Sequence, residues 1–210
     1  MDARDWDERY AGTEMVWSAG PNQFVASELA GLRPGRAVDL AAGEGRNAIW
    51  LAEQGWEVTA VDFSLIGLEK GRRALAVHPA GADLHVDWVH SDVLEWTPGP
   101  VGYDLALMAY LQIPADQLHT AVRHAFTALV PGGTLFVVAH DSTNLTEGTG
   151  GPQDPDVLYT AEDVLAALDG ERFDVERAER VARTVPAADG HGGEPERTAY
   201  DALVRLVRTA

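Results

Sequence analysis

The 210-residue sequence contains no cysteine, so disulfides, thiolate metal sites and a cysteine nucleophile are excluded together. It is also short of positive charge, with 16 lysines and arginines against 33 acids and a formal net charge of −17. A phosphate backbone is repelled at long range by such a field, which argues against DNA or RNA as partner or substrate and favours small molecules. The same acidity would serve equally to keep a crowded protein dispersed. No stretch approaches the ~20 apolar residues of a membrane span. The opening MDARDWDERYAG is charged where a secretory leader would carry its apolar run, so no membrane association and a cytoplasmic location are expected. His119 and His124 lie five apart on a helical segment and do not share a face, so no metal site is expected.

What is present is a core-forming composition, 46% hydrophobic with six tryptophans, arranged as alternating strand-like and helix-like segments. From Arg36 the chain reads AVDLA, a helix from about Arg46 to Gln54, EVTAVD, a helix across 65–77, HVDWVH and YDLALMAYL. That alternation predicts a parallel sheet with helices on both faces. Leu118, Val122, Ala125, Phe126 and Leu129 form one apolar helical face. Pro131, Gly132 and Gly133 are expected to end that helix and lead into a fifth strand, TLFVVA. Thr160 and Asp163 have capping-box spacing for a helix through Leu168. RFDVER and TAYDALVRLVR follow as strands with no helix between them, which makes them most easily an antiparallel hairpin. Upstream, Pro21 is suited to the first turn of a helix running to about Leu32. The turn-rich segment 142–156 leaves the carboxyl end of the fifth strand, where open α/β sheets bind ligands, and reads as a substrate loop or a plain surface loop.

The stretch VDLAAGEGRN places Gly43 and Gly45 where the first strand hands over to its helix. A tight turn there lets a ligand approach backbone amides. Gly43-x-Gly45-x-x-Ala48, with Asp62 near the ~20-residue offset of a ribose-binding acid, fits a dinucleotide fingerprint. A nicotinamide-dependent oxidoreductase is therefore one alternative, and it predicts a parallel final strand. Asp39, Asp62 and Asp92 stand at the ends of three successive strands, and three carboxylates around one crevice suit a cation better than a pyrophosphate.

Taken in order, VDLAAGEGRN, VTAVDFS, SDVLEW, YDLALMAYL and LVPGGTLFVVAH resemble a class I S-adenosylmethionine-dependent methyltransferase, from about Trp6 to the C-terminus. The sequence is most similar to the small branch that includes tellurite-resistance and thiopurine-type enzymes. The resemblance implies a Rossmann-like doubly wound α/β sheet of seven strands, the first five parallel, closed by an antiparallel hairpin. It implies a single methyltransferase domain over 36–210, preceded by a helical lid segment over 1–35. The cofactor would be S-adenosyl-L-methionine and the partner a small-molecule methyl acceptor. A module that binds the cofactor without turnover is the non-enzymatic alternative.

By the same resemblance Ala41, Gly43 and Gly45 would line the methionine part of the cofactor, and Asp62 would hold the ribose hydroxyls. Phe63 would lie against the adenine, with Asp92 and the amide of Val93 at its edge. Met108 and Ala109 would line the pocket near the sulfonium, Tyr110 would stand close to the methyl group, and Trp17 and Arg46 would clamp the methionine end. Ala41 replaces the family's usual glycine, which is tolerable if that residue keeps a negative φ. The fourth strand reads LMAYLQI and lacks the Asn/Asp-Pro-Pro-aromatic tetrad that polarises amino nitrogens, which argues against adenine or glutamine as acceptor. His140 and Asp141, closing the fifth strand, are the candidates for a base or a substrate contact.

Overall fold

The computed structural model describes residues 3–12, 20–185 and 196–210. Among these, seven strands form one sheet in the order β3-β2-β1-β4-β5-β7-β6. Strands β1 (Arg36–Leu40), β2 (Glu57–Asp62), β3 (Val86–His90), β4 (Tyr103–Ala109) and β5 (Leu129–His140) pair in parallel. β7 (Arg197–Arg208) runs antiparallel between β5 and β6 (Phe173–Val185). The expected doubly wound sheet with a closing hairpin is therefore present, and the parallel final strand required by the oxidoreductase alternative is not.

Successive side chains of each inner strand point to opposite faces, and because both faces are covered β1, β4 and β5 are buried along most of their length. Val38, Leu40, Ala106, Met108, Leu135 and Val137 face one core, which α5 (Ala115–Thr127) and α7 (Ala161–Ala166) cover with Leu118, Val122, Phe126 and Val164. Ala37, Leu105, Leu107, Phe136 and Val138 face the other, covered by α2 (Gln23–Leu29) and α3 (Arg46–Glu53) through Val25, Leu29, Ala48 and Leu51. Phe126 and Phe136 are fully buried on the two faces, each contributing about 2 kcal/mol by transfer from water. Two further helices, α1 (Ala3–Ala11) and α4 (Leu65–Val77), pack on one another beside β2 and β3, and a short α6 (Asn144–Glu147) lies against β7.

Several local expectations are corrected. Pro21 does not enter the first turn of α2; Asn22 caps that helix, its side chain accepting from the Phe24 and Val25 amides at 2.9 and 3.3 Å, and the helix stops at Leu29. Pro131-Gly132-Gly133 does not end α5, which closes at Thr127. The three residues form a bulge inside β5, with Pro131 and Gly132 exposed and Gly133 buried, and the register jumps from Tyr103↔Leu129 to Leu105↔Thr134. Gly132, at φ 86°, supplies the left-handed backbone that the bulge requires. Segment 142–156 contains α6 and the start of a 3-10 turn at Pro155–Val157 rather than running structureless. The Thr160–Asp163 capping box is present, with the Asp163 amide donating to Thr160 Oγ1 at 3.2 Å and the Thr160 amide to Asp163 Oδ2 at 2.8 Å.

Candidate active site

At the carboxyl end of β1 the chain turns sharply through Ala41, Gly43 and Gly45, all left-handed at φ 62°, 56° and 73°. Ala41 thus does not keep the negative φ under which its methyl group would be costless; the strain is about 1 kcal/mol. The turn is pinned from β2: Asp62 Oδ2 accepts the Gly43 amide and Oδ1 accepts the Ser64 amide, both at 2.8 Å. Asp39, at 1% exposure, lies beneath it with one carboxylate oxygen, Oδ2, lacking any hydrogen-bond partner among the described residues. Burial, and then the neighbouring Asp62, push the Asp39 carboxyl up to about 8, opposed by Arg46 and the Ala48 amide. Burial also raises the Asp62 carboxyl, against the pull of its two amide donors. A desolvated acid with an unused oxygen under a left-handed, amide-rich turn is a site in want of a positive charge.

The glycines serve packing as well as conformation, which the sequence did not disclose. A Cβ on Gly43 would fall 2.4 Å from the Tyr10 hydroxyl of α1, and one on Gly45 would fall 2.3 Å from the Trp88 ring of β3. Tyr10 is buried, and α1 is held there by Asp7, which takes the Ser64 hydroxyl, and by Lys70, which donates to the Tyr10 carbonyl at 2.9 Å. Phe63 follows β2 half-buried, its carbonyl 2.9 Å from His90 Nε2. Asp92, after β3, is half-buried and uses Oδ1 to accept the Leu94 amide at 2.8 Å, while the Val93 side chain joins the core. The strand order places the ends of β1, β2 and β3 side by side. Electrostatic contact joins Asp39 to Asp62.

The second half of the site lies at the ends of β4, β5, β7 and β6. Met108 is fully buried in the core, whereas Ala109 is partly exposed and leads to Tyr110, which is left-handed at φ 59°. A bulky side chain in that conformation is strained and must be held by its surroundings. The Tyr110 amide donates to the Val138 carbonyl at 2.7 Å, and its hydroxyl donates to Asp201 Oδ2 at 2.9 Å. Burial, followed by the charge of Asp201, holds that hydroxyl well above the ordinary tyrosine range.

Arg183 of β6 donates from Nε to the same Asp201 oxygen at 2.7 Å, and His140 Nδ1 stands 3.4 Å from Oδ1. The His140 ring meets Tyr110 edge-on at 4.9 Å. Burial alone would raise the Asp201 carboxyl, but the neighbouring His140 ring, the hydrogen bonds from Arg183 and Tyr110, and the Arg183 charge hold it below the usual range. Arg46 links the two halves electrostatically. Burial lowers its pKa most, and the nearby Tyr110, Asp39 and Tyr10 favour its charged form.

Of the residues singled out in the sequence, Asp39, Ala41, Gly43, Gly45, Arg46, Asp62, Tyr110 and His140 meet at this carboxyl edge. Asp141 turns away: it is buried and accepts from the Thr143 amide and hydroxyl at 2.9 and 2.6 Å. Trp17 lies outside the described residues. Two surface hollows, one at Leu165–Phe173 and one between Ile113–His119 and Pro155–Asp163, are lined by none of these residues. Sequence reading missed Asp201 and Arg183. The only signal was an acid at an inward position of an otherwise apolar strand, TAYDALVRLV.

Residues 37–133 match the family model described as a methyltransferase domain. Over those residues, a little under half of the chain, the sequence is similar to a methyltransferase domain. A demethylmenaquinone methyltransferase from Clavibacter sepedonicus is 30% identical over 126 residues, 60% of this chain and 48% of the relative. The chain spans about half the length of the first curated relatives it matches. Among solved structures, TehB from Haemophilus influenzae superposes with a TM-score of 0.70 at 14% identity, covering 90% of this chain and 63% of TehB. The glycopeptide N-methyltransferase MtfA complexed with S-adenosylmethionine gives 0.62 at 18%, covering 92% and 89%. These structural likenesses place the methyltransferase domain in its fold. None of its described helices is long and apolar enough to cross a membrane.

Proposed function

We propose that the protein is an enzyme that transfers a methyl group from S-adenosylmethionine to a small-molecule acceptor. The observation that carries this reading is the orphaned, desolvated carboxylate oxygen of Asp39 beneath the Ala41–Gly45 turn, beside Asp62 and Arg46. The residues present suit that cofactor: buried acids for a cation, the Arg46 guanidinium for a carboxylate, and Asp62 for ribose hydroxyls. When bound, the cofactor supplies an electrophilic methyl group on a positively charged sulfur with a neutral leaving group.

The chain's part is to bind, orient and exclude water. Ala41, Gly43, Gly45 and Arg46 hold the amino-acid end, with Trp17 as a further clamp. Asp62, Phe63, Asp92 and the Val93 amide hold the nucleoside. Met108, through its backbone, and Ala109 border the sulfur, and Tyr110 and His140 face the acceptor. Residues 1–35 act as a helical lid over the domain of 36–210, a role supported by Tyr10 and Asp7 of α1 packing on Gly43 and Ser64. Asp141 supports the loop behind the acceptor side.

The acceptor is small and is not nucleic acid, a reading supported by the net charge of −17. The absence of cysteine is compatible with work in the cytoplasm. Saturating S-adenosylmethionine or its demethylated product is expected to raise the Tm while NAD leaves it unchanged; no shift with either of the first two overturns the reading. A screen of hydroxyl, thiol, amine and oxyanion acceptors, scored by the demethylated cofactor formed, then identifies the acceptor.

A further inference from the structure

His140 is held on four sides. Its amide donates to Gln112 Oε1 at 2.7 Å, and Gln112 in turn donates from Nε2 to the Val157 carbonyl at 2.6 Å, tying the end of β5 to the Pro155–Val157 turn. The edge of Tyr110 closes one flank. Gly151 lies flat on the ring: a Cβ there would stand 2.9 Å from Cδ2 and Cγ and 3.0 Å from Cε1, and its φ of 77° already favours glycine. On the inner side Nδ1 is buried and makes no hydrogen bond among the described residues; its nearest charged neighbour is Asp201 Oδ1 at 3.4 Å. The contact is longer than a good hydrogen bond, as is common for catalytic pairs before substrate is bound. Nε2 has no hydrogen-bond partner among the described residues.

We propose that Asp201 is a positioning residue that fixes His140 with its proton on Nδ1, leaving the Nε2 lone pair to take the proton of a hydroxyl or amine acceptor seated between Tyr110 and Gly151. This rests on the methyl-transfer reading above. The tautomer follows from the chemistry of the partner. A carboxylate accepts and cannot donate, so a neutral ring facing it must carry its hydrogen on Nδ1. Asp201 stays ionised for this task because Arg183 and Tyr110 both donate to Oδ2, and Arg183 Nη2 reaches Oδ1 as well at 3.4 Å. The surrounding charged and titratable groups are thus Asp201 from β7, Arg183 from β6 and Tyr110 from the end of β4, with Arg46 and Asp39 beyond Tyr110.

In the step itself the acceptor's O–H or N–H bond breaks toward Nε2 and its heteroatom pair forms the new bond to the methyl carbon. The carbon–sulfur pair returns to sulfur. Charge is conserved, the sulfonium's positive charge ending on the imidazolium, which Asp201 stabilises. An anionic thiolate acceptor would not need this service.

The deciding measurement is a long-range 1H–15N spectrum of histidine-labelled protein at a pH where the ring is neutral, with His140→Gln used to assign the signals. The expected result is Nδ1 protonated and Nε2 bare; an Nε2–H tautomer in the wild type overturns the proposal without any variant at Asp201. In Asp201→Asn, the short Arg183 and Tyr110 donors keep the remaining oxygen at the Oδ2 position, the long Arg183 Nη2 contact is given up, and the new amide NH2 faces Nδ1, so the tautomer is expected to reverse. With a protic acceptor from the screen, Asp201→Asn and His140→Gln are each expected to lower kcat about 100-fold, and together no further. The KM for cofactor should stay within about 2-fold, since neither residue serves that half of the site. Equal losses in kcat and cofactor affinity, or an unchanged kcat, overturn the positioning role. Titration with S-adenosylmethionine alone reports separately on the methyl-transfer reading, so failure of one is not mistaken for failure of the other.

Discussion

The glycine-turn part of the proposed cofactor site draws its groups from one stretch, Asp39 to Phe63, whereas the proposed acceptor side joins residues as far apart as Tyr110 and Asp201, 91 positions away. The first is organised by the backbone: left-handed turns, amides donated to Asp62, a helix started at Gly45. The second is organised by side chains meeting around one buried carboxylate. Their acids respond in opposite ways. Asp39 is raised because nothing fully compensates its burial, while Asp201 is lowered because three neighbouring groups do. A local turn can therefore create a site that waits for an external cation, and a tertiary cluster can satisfy its own charge internally.

Breaking the second half should cost most. Arg183→Met leaves the fully buried Asp201 without its cation and is expected to destabilise the fold by about 3 kcal/mol, read by chemical denaturation. Gly45→Ala attacks the first half through backbone and packing together, placing a methyl group against Trp88 at left-handed φ. About 2–3 kcal/mol should be lost. Asp62→Ala is expected to weaken S-adenosylmethionine about 30-fold in calorimetry, as two charge-assisted bonds near the cofactor vanish.

A titration separates the halves more finely. Asp39 holds its proton in the folded state up to about 8 against 3.8 when unfolded, so the folded chain binds more protons between those values. Stability should therefore fall as pH rises from about 4 to 8, and Asp39→Asn should flatten that slope. Asp201 works the other way: its contribution is present above the unfolded carboxylate range and is lost as pH falls through its lowered value. Binding of a cationic cofactor near neutral pH should release a proton from Asp39, seen as a buffer-dependent binding enthalpy. The smallest expected effect is Ala41→Gly, which relieves the strain at φ 62° but adds freedom to the unfolded chain. A net gain of about 0.5 kcal/mol is expected from the Tm.

How far each region was legible follows from the range of the forces involved. The strand–helix alternation, the α4 boundaries and the Thr160–Asp163 cap were readable because periodicity and capping act over a few residues. The bulge at Pro131–Gly133 was misread as a helix end, since proline and glycine break either element and only pairing with β4 distinguishes the two. The left-handed Ala41 was misread because its cost is local, whereas the constraint imposing it comes from β2 through Asp62 and Gly43.

The sequence by itself determined the sheet's layout and its acid-lined glycine turn, for these depend on patterns within single elements or between neighbours in the chain. Only the tertiary structure decided that Tyr10 and Trp88 fill the space the glycines leave, that Asp141 turns away, and that Asp201 gathers Tyr110, His140 and Arg183. Those contacts close long loops, and their partners are chosen by which strands pair and how their registers align, information that no single stretch of the chain contains.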